Sequence, residues 1–203
     1  MKNVLVIGAA SSGKSAWAEK RCLELGVAKI YVATMSDQGH EAKERIERHR
    51  SMRANKGFIT VEPFCGGADS VSLAACLQAA RAALPSYAQV EDVLPCVALV
   101  EDLGNLVSNR LFKGDEICPF EAAYAQLKDD IDTIEHTCMH TVFVGNDMAA
   151  DGLCSKKDAP ALRIYAELLG RITADVAQSS TQVVEVVAGY PVVLKGSSVY
   201  ARD

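Results

Sequence analysis

The residues best suited to chemistry lie near the start of the chain, between a short apolar run and a segment of good helix formers. Gly8 and Gly13 are separated by four residues, and Lys14 and Ser15 follow at once. This is the spacing of a phosphate-binding loop (P-loop), in which backbone amides and a lysine bind phosphates. We expect Lys14 to contact the β- and γ-phosphates and Ser15 to bind magnesium. A chance glycine-rich turn is the alternative, but the agreement of strand, loop and helix favours a nucleotide-binding site.

Two carboxylates, Glu101 and Asp102, end the apolar run over 97–100. In proteins with a phosphate-binding loop, an acidic residue at the end of a neighbouring strand holds the magnesium ion. Ligands of open α/β sheets also gather at the carboxyl ends of the strands. An ordinary strand-end carboxylate is the alternative. We expect Glu101 to serve the metal, because Asp102 is well placed to cap the helix that starts at Leu103.

The segment 39–53 predicts a helix with charged residues on nearly every side. His49 lies within it, and basic residues occupy neighbouring and one-turn positions: Arg45, Arg48, Arg50 and Arg53. Positive charge lowers the pKa of a histidine, which keeps the imidazole neutral and nucleophilic near pH 7. The same arginines can hold phosphates through paired hydrogen bonds. Glutamates in this helix offset part of the charge, so the residues alone favour an ordinary surface histidine.

Length and composition indicate a single domain, 1–203, with a sizeable core, since 49% of the 203 residues are hydrophobic. A net charge of −5 argues against a nucleic-acid partner, which usually leaves a basic surface. No apolar run approaches the roughly 18 residues of a membrane-spanning helix, and the first run has no signal-peptide shape. We therefore expect a cytoplasmic protein. The seven cysteines form no Cys-x-x-Cys pair, which favours reduced structural thiols over metal ligands or disulfides.

Apolar runs and turn residues divide the chain into alternating strands and helices. Strands are predicted over 2–7, 29–33, 58–62, 97–100 and 141–145, and helices over 69–84, 103–112, 119–137 and 161–178. The polar segment 146–160 predicts a loop. The segments 182–188 and 191–195 predict a terminal hairpin whose second strand is antiparallel at a sheet edge. The alternation predicts an α/β fold with a doubly wound, mostly parallel sheet flanked by helices and a C-terminal antiparallel edge hairpin. Together with the phosphate-binding loop, this predicts a fold like that of P-loop NTPases.

Several short motifs, taken in their order and spacing, resemble those of one protein family over nearly the whole chain. They are Gly8–Ser15, Tyr31–Thr34, Arg45–Arg50, Thr60–Glu62, Val100–Phe112, Val142–Asp147 and Ala188–Lys195. The family is the bifunctional adenosylcobinamide kinase / adenosylcobinamide-phosphate guanylyltransferase of cobalamin biosynthesis. Apart from the phosphate-binding loop no motif is specific alone, so the resemblance rests on their order and spacing.

The resemblance implies an enzyme that catalyses two steps. A nucleoside triphosphate, ATP or GTP, first phosphorylates the aminopropanol hydroxyl of adenosylcobinamide. GTP then guanylylates an active-site histidine, and the phosphorylated corrinoid takes GMP from it to give adenosylcobinamide-GDP. By motif position this histidine is His49, which joins Lys14 as a catalytic residue, while Ser15 and Glu101 bind Mg²⁺. Family members form propeller-like homotrimers, so a trimer is implied here as well.

The nucleotide contacts that the resemblance implies fall into short, separate stretches. They are Gly8, Ala9, Ala10, Ser11, Ser12, Gly13, Lys14, Ser15, Ala33, Thr34, Met35, Arg50, Ser51, Met52, Arg53, Glu62 and Glu101. The chain departs from the family's usual pattern over 146–160 and 170–176. These departures leave two alternatives: a P-loop small-molecule kinase with only one of the two activities, and a non-catalytic nucleotide-binding module.

Overall fold

The computed structural model describes residues 2–26, 28–36, 47, 51, 56–65, 72–84, 94–147 and 160–197. The main sheet consists of β1 (Lys2–Gly8), β2 (Ala28–Ala33), β3 (Phe58–Val61), β4 (Leu94–Glu101), β7 (Cys138–Asn146), β8 (Gln182–Val187) and β9 (Tyr190–Lys195). Two shorter strands, β5 (Phe112–Lys113) and β6 (Glu116–Ile117), form a small separate hairpin. The helices are α1 (Lys14–Leu25), α2 (Leu73–Ala83), α3 (Leu103–Leu111), α4 (Phe120–Thr137) and α5 (Pro160–Ser179).

The strand order in the main sheet is β3-β2-β4-β7-β1-β8-β9, and every neighbouring pair is parallel except β8 and β9. The mostly parallel sheet and its terminal antiparallel hairpin confirm the predicted fold. Because the parallel strands point the same way, their carboxyl ends meet at one edge of the sheet, which we call the carboxyl edge. That edge brings together residues far apart in the chain: Gly8, Ala33, Val61, Glu101 and Asn146.

Helices cover both faces of the sheet, and each face has its own apolar core. On one face α1 packs through Ala18 and Cys22 against valines of β1, β7 and β8. On the other face α2, α3, α4 and α5 bury a larger core that includes Leu106 and Leu127. The central strand β4 is buried from Cys96 to Val100, as expected of a parallel strand covered on both faces. None of the helices in the described part of the chain is long and apolar enough to cross a membrane.

A charged pair links α3 to α4 at the margin of the larger core. The Arg110 guanidinium donates hydrogen bonds of 2.6 and 2.8 Å to the two carboxylate oxygens of Asp130, and both side chains are largely buried. The guanidinium also lies over the ring of Phe64, 5.2 Å from its centre. Because a two-point contact fixes orientation as well as distance, it holds α3, the helix that follows Glu101, against its neighbour.

Two elements differ from the expectation drawn from the sequence. Helix α2 begins at Leu73 rather than at residue 69, because the Ser72 hydroxyl accepts a hydrogen bond from the Ala75 amide and caps the helix. The small β5–β6 hairpin lies between the helices predicted over 103–112 and 119–137, where no strand is predicted. Its turn contains Gly114 with a φ of 64°, a left-handed conformation that glycine adopts without strain.

The charged helix predicted over 39–53 lies outside the described residues, apart from two positions. Glu47 and Ser51 are both helical and exposed. The Ser51 hydroxyl donates a 2.9 Å hydrogen bond to the Glu47 carbonyl, one helical turn earlier. The loop predicted over 146–160 is likewise outside the described residues from 148 to 159.

Candidate functional site

The phosphate-binding loop forms the turn between β1 and α1 at the carboxyl edge. Gly13 has a φ of 93°, a left-handed conformation that residues with side chains rarely adopt, and it precedes the first helical residue. The first-turn amides of α1 have no acceptor within the helix, so together with the helix dipole they form a site for an anion. The Lys14 ammonium folds back onto the loop and donates to the Ala9 carbonyl at 3.0 Å. A bound phosphate would take the place of that carbonyl.

One hydroxyl of the loop is buried without a partner. Ser12 is 7% exposed, and its Oγ has no hydrogen-bond partner among the described residues. Leaving a buried polar group unpaired costs roughly 1–3 kcal/mol, so such groups usually have a use. Within this loop the hydroxyl is suited to donate to a phosphate oxygen. The unpaired group therefore supports an anion site independently of the sequence motif.

Ser15 and Glu101, far apart in the chain, meet at the carboxyl edge. The Ser15 hydroxyl donates to one oxygen of the Glu101 carboxylate, and the Tyr31 hydroxyl donates to the other at 3.4 Å. Glu101 is only 9% exposed, so the protein fixes the orientation of its carboxylate. Hydroxyl and carboxylate oxygens beside a phosphate site are the ligands that magnesium prefers. These residues therefore fit a magnesium ion shared with the phosphates of a nucleotide.

Asp102 caps helix α3, which is the role favoured for it by the sequence. Its carboxylate accepts the backbone amide of Asn105 at 2.7 Å and the side-chain amide of the same residue at 3.2 Å. The peptide bond between Glu101 and Asp102 is cis. The two adjacent carboxylates thus have different roles, since Asp102 caps the helix whereas Glu101 contacts Ser15.

Thr34, which follows β2, is hydrogen-bonded to the end of β4. Its amide donates to the Glu101 carbonyl at 3.1 Å, and its hydroxyl donates to the Asp102 carbonyl at 2.8 Å. Its own carbonyl accepts the side-chain amide of Asn109 at 2.6 Å. Thr34 is completely buried. The structure therefore gives this predicted nucleotide contact a part in positioning Glu101.

The remaining predicted nucleotide contacts fall into three groups. Ala10 and Ser11 are exposed at the tip of the phosphate-binding loop. Ala33, Met35 and Glu62 lie at or just beyond the ends of β2 and β3, at the carboxyl edge. His49, Arg50, Met52 and Arg53 lie outside the described residues, and Ser51 is exposed. The structure thus brings the loop, Glu101 and the ends of β2 and β3 to one edge, while the location of His49 stays a prediction.

A polar cluster beside Gly104 was not predicted from the sequence. A methyl group on Gly104 would lie 2.8 Å from the Tyr165 hydroxyl, 3.1 Å from the Asn146 amide nitrogen and 3.1 Å from an Asp102 carboxylate oxygen. Asn146 pairs in register with Gly8, which places the cluster next to the phosphate-binding loop. Burial and the nearby Asp102 carboxylate raise the pKa of Tyr165 to about 12. Its hydroxyl therefore stays protonated at neutral pH and can donate a hydrogen bond.

The model of a family described as cobinamide kinase / cobinamide phosphate guanyltransferase matches residues 4–194. No match was found among curated proteins. Two solved structures also match this chain. The flagellar accessory protein FlaH from Methanocaldococcus jannaschii has a TM-score of 0.41 and 15% identity, over 96% of this chain and 78% of that one. The second, a solved ATPase domain, has a TM-score of 0.49 and 10% identity, over 91% of this chain and 68% of that one.

The family match covers the phosphate-binding loop, the strand that ends in Glu101 and the terminal hairpin. It therefore includes each element that forms the carboxyl edge, and it confirms the resemblance found in the sequence motifs. This protein belongs to the cobinamide kinase / cobinamide phosphate guanyltransferase family.

Proposed function

We propose that this protein phosphorylates adenosylcobinamide and then transfers GMP from GTP to the product, giving adenosylcobinamide-GDP. The observation that carries the proposal is the contact between Ser15 and Glu101 beside the phosphate-binding loop, in a chain that belongs to the cobinamide family. The contact supplies oxygen ligands for a magnesium ion next to Lys14. Phosphoryl transfer in proteins with a phosphate-binding loop depends on this combination of lysine, hydroxyl and carboxylate.

In the kinase step, Lys14 and the loop amides hold the β- and γ-phosphates of ATP or GTP. The Lys14 ammonium exchanges the Ala9 carbonyl, now 3.0 Å away, for a phosphate oxygen. Ser15 and Glu101 would hold Mg²⁺, which would neutralise charge on the phosphates. The acceptor hydroxyl attacks the γ-phosphorus, the bond from that phosphorus to the bridging oxygen breaks, and the nucleoside diphosphate leaves as the hydroxyl proton passes to solvent.

In the guanylyltransferase step, the His49 imidazole attacks the α-phosphorus of GTP. A nitrogen–phosphorus bond forms, the bond from the α-phosphorus to the bridging oxygen breaks, and pyrophosphate leaves. The phosphate of the corrinoid then attacks the same phosphorus and frees the histidine. Covalent catalysis of this kind splits one difficult transfer into two easier ones. The support for His49 is its position in the motif Arg45–Arg50, where arginines surround it.

Labelling with GTP tests the second step. GTP labelled at the α-phosphate should leave acid-labile label on the wild-type protein and none on His49→Ala. His136→Ala is the matched control, because His136 is exposed just before β7, at the opposite edge of the sheet, where its ring contacts the Asp132 carbonyl at 2.6 Å. A wild-type protein that takes up no label would refute the guanylyltransferase activity.

Phosphoryl transfer to adenosylcobinamide tests the first step. Lys14→Ala should lower kcat by about 10²–10³-fold, because the ammonium that stabilises the negative charge on the transferred phosphoryl group is lost. Lys113→Ala, an exposed lysine of the small β5–β6 hairpin, is the matched control and should keep full activity. Phosphorylation without any GMP label on the protein would identify a kinase with a single activity. GTP binding without either product would identify a non-catalytic module.

We also propose that the protein works in the cytoplasm as a homo-oligomer, a trimer as in its family. The β8–β9 hairpin exposes an apolar row on one face, formed by Val187 (51% exposed), Tyr190 (76%) and Val192 (46%). Apolar rows at a sheet edge are typical of interfaces. The six cysteines that the structure describes are free thiols, which agrees with a reducing compartment. Tyr190→Lys should shift the mass measured by light scattering from trimer towards monomer, and a monomeric wild type would refute the oligomer.

A further inference from the structure

A groove of about 370 Å³ runs along α1 from the phosphate-binding loop. Ala16, Trp17 and Lys20 line it from α1, Gly13 lines it just before that helix, and Gly189 and Pro191 line it from the β8–β9 hairpin. The positions on α1 are three and four residues apart, so they form one stripe along the helix. Apart from Gly13, none of the residues assigned above to phosphate, magnesium or corrinoid chemistry lines this groove.

The groove opens directly onto the phosphate-binding loop. The Gly189 amide donates a 2.8 Å hydrogen bond to the Ser12 carbonyl, which ties the hairpin turn to the loop. A methyl group on Gly13 would lie 3.4 Å from the α-carbon of Gly189, so the two glycines face each other across a narrow gap. A chemical group bonded to phosphates on the loop would therefore enter the groove beside Gly13.

The side chains of the groove suit a nucleoside. Trp17 is half-buried and packs against the core between α1 and the sheet, so its ring offers a fixed surface on which a base can stack. Arg21 and Glu24 also line the groove, and the Arg21 guanidinium donates to the Glu24 carboxylate at 2.9 Å. The volume falls in the range of about 300–1,000 Å³ found for small-molecule sites.

We propose that this groove binds the nucleoside part of the triphosphate whose phosphates lie on the loop. The base stacks on Trp17 and against the hairpin turn at Gly189. The proposal rests on the phosphate site of the proposed function, but not on the identity of the acceptor. It assigns recognition of the nucleoside in the kinase step to α1 and the terminal hairpin rather than to the segment around His49.

Trp17 is the only tryptophan in the sequence, so its fluorescence reports on the groove alone. The full-length protein is titrated with ATP, GTP and inorganic tripolyphosphate, and calorimetry measures the binding of each ligand in parallel. We expect the nucleotides to quench Trp17 emission in step with their binding, and tripolyphosphate to bind without quenching. Equal changes in emission with tripolyphosphate and with the nucleotides would overturn the proposal, because the emission would then follow the loop and not the base.

A variant that fills the groove gives a second, independent measurement. Ala16 is exposed on α1 and lines the groove, so Ala16→Leu should weaken ATP and GTP about tenfold while the affinity for tripolyphosphate stays unchanged. Ala122→Leu, at an exposed position near the start of α4, is the matched control and should bind all three ligands as the wild type does. Unchanged nucleotide affinity in Ala16→Leu would overturn the proposal. If Ala16→Leu also binds tripolyphosphate more weakly, the variant does not separate binding of the base from binding of the phosphates. The quenching of Trp17 in the wild-type protein then tests the proposal.

The measurements distinguish an error in the proposed function from an error in the proposed nucleoside site. Quenching by nucleotides without phosphorylation of adenosylcobinamide would contradict the proposed reactions and support the groove. Phosphorylation of adenosylcobinamide with no change in Trp17 emission would contradict the groove and support the kinase. A protein that binds none of the three ligands would contradict both.

Discussion

Replacing Gly8 with alanine should lower both stability and nucleotide affinity, because β1 packs there without room for a side chain. A methyl group on Gly8 would lie 2.6 Å from the Val186 carbonyl oxygen and 2.5 Å from the Ser12 hydroxyl oxygen. The hydroxyl can rotate away, but the carbonyl belongs to the backbone of β8. The contact must therefore open from 2.6 Å towards the 3.4 Å of ordinary van der Waals contact. Overpacking of this kind costs about 1–3 kcal/mol of unfolding free energy.

The same displacement disturbs the nucleotide site. Gly8 is the last residue of β1, and its carbonyl accepts the Asp147 amide at 3.1 Å, so a shift of β1 away from β8 moves the start of the loop. The loop amides must each stay within hydrogen-bond distance of a phosphate oxygen. We therefore expect the affinity for ATP to fall at least about tenfold, which corresponds to about 1.4 kcal/mol of binding free energy.

Urea unfolding measures the change in stability, and calorimetry measures the change in ATP affinity. Gly170→Ala is the matched control, because Gly170 lies within α5 and an added methyl group would meet no described atom within 4 Å outside its own helical turns. There alanine should raise the unfolding free energy by about 0.5–1 kcal/mol and leave ATP binding unchanged. A Gly8→Ala protein with wild-type stability and affinity would refute the steric argument.

Two further predictions concern buried polar groups. Asp130→Ala should lower the unfolding free energy by about 2 kcal/mol, because Arg110 loses two charge-assisted hydrogen bonds. Glu121→Ala is the control and should lower it by at most about 0.5 kcal/mol, because its partner Arg171 is exposed. Equal losses in urea unfolding would contradict the argument from burial. The pKa of Tyr165 should lie near 12 rather than 10, as ultraviolet titration of wild type and Tyr165→Phe can show. Because the folded pKa is the higher, the stability from this group is full below pH 10 and is lost as the pH rises towards 12. A normal tyrosine titration for this residue would contradict the burial of its hydroxyl.

The phosphate-binding loop can be predicted from the sequence because its parts are neighbours in the chain. The apolar strand, the two glycines, the lysine, the serine and the helix all lie between Lys2 and Leu25. The strand order cannot be predicted in this way. Strand β7 enters between β4 and β1 and sets Asn146 beside Gly8. No local pattern determines that pairing, since parallel strands are joined by long crossover connections.

The cluster around Gly104 is hidden in the sequence for the same reason. Its members Asp102, Asn146 and Tyr165 belong to three separate elements, and only the fold brings them together. Only Asn146 could have been noticed in the sequence as a candidate site residue. Like Glu101, it is a polar residue that follows a buried apolar run. A tyrosine on an amphipathic helix such as α5 gives no such signal, because its usual role is packing. Strands β5 and β6 escape prediction because two residues are too few to show alternation.

Because β1 is synthesised well before β7 and β8, the two strands that it pairs with, the order of synthesis constrains when the protein can bind its ligand. Its neighbours β7 and β8 span Cys138–Asn146 and Gln182–Val187. Until these segments leave the ribosome, the strand that carries the phosphate-binding loop lacks both of its native partners. Pairings between such distant segments are also slow to form. We therefore expect the nascent polypeptide to bind nucleotide only after β8 has been synthesised.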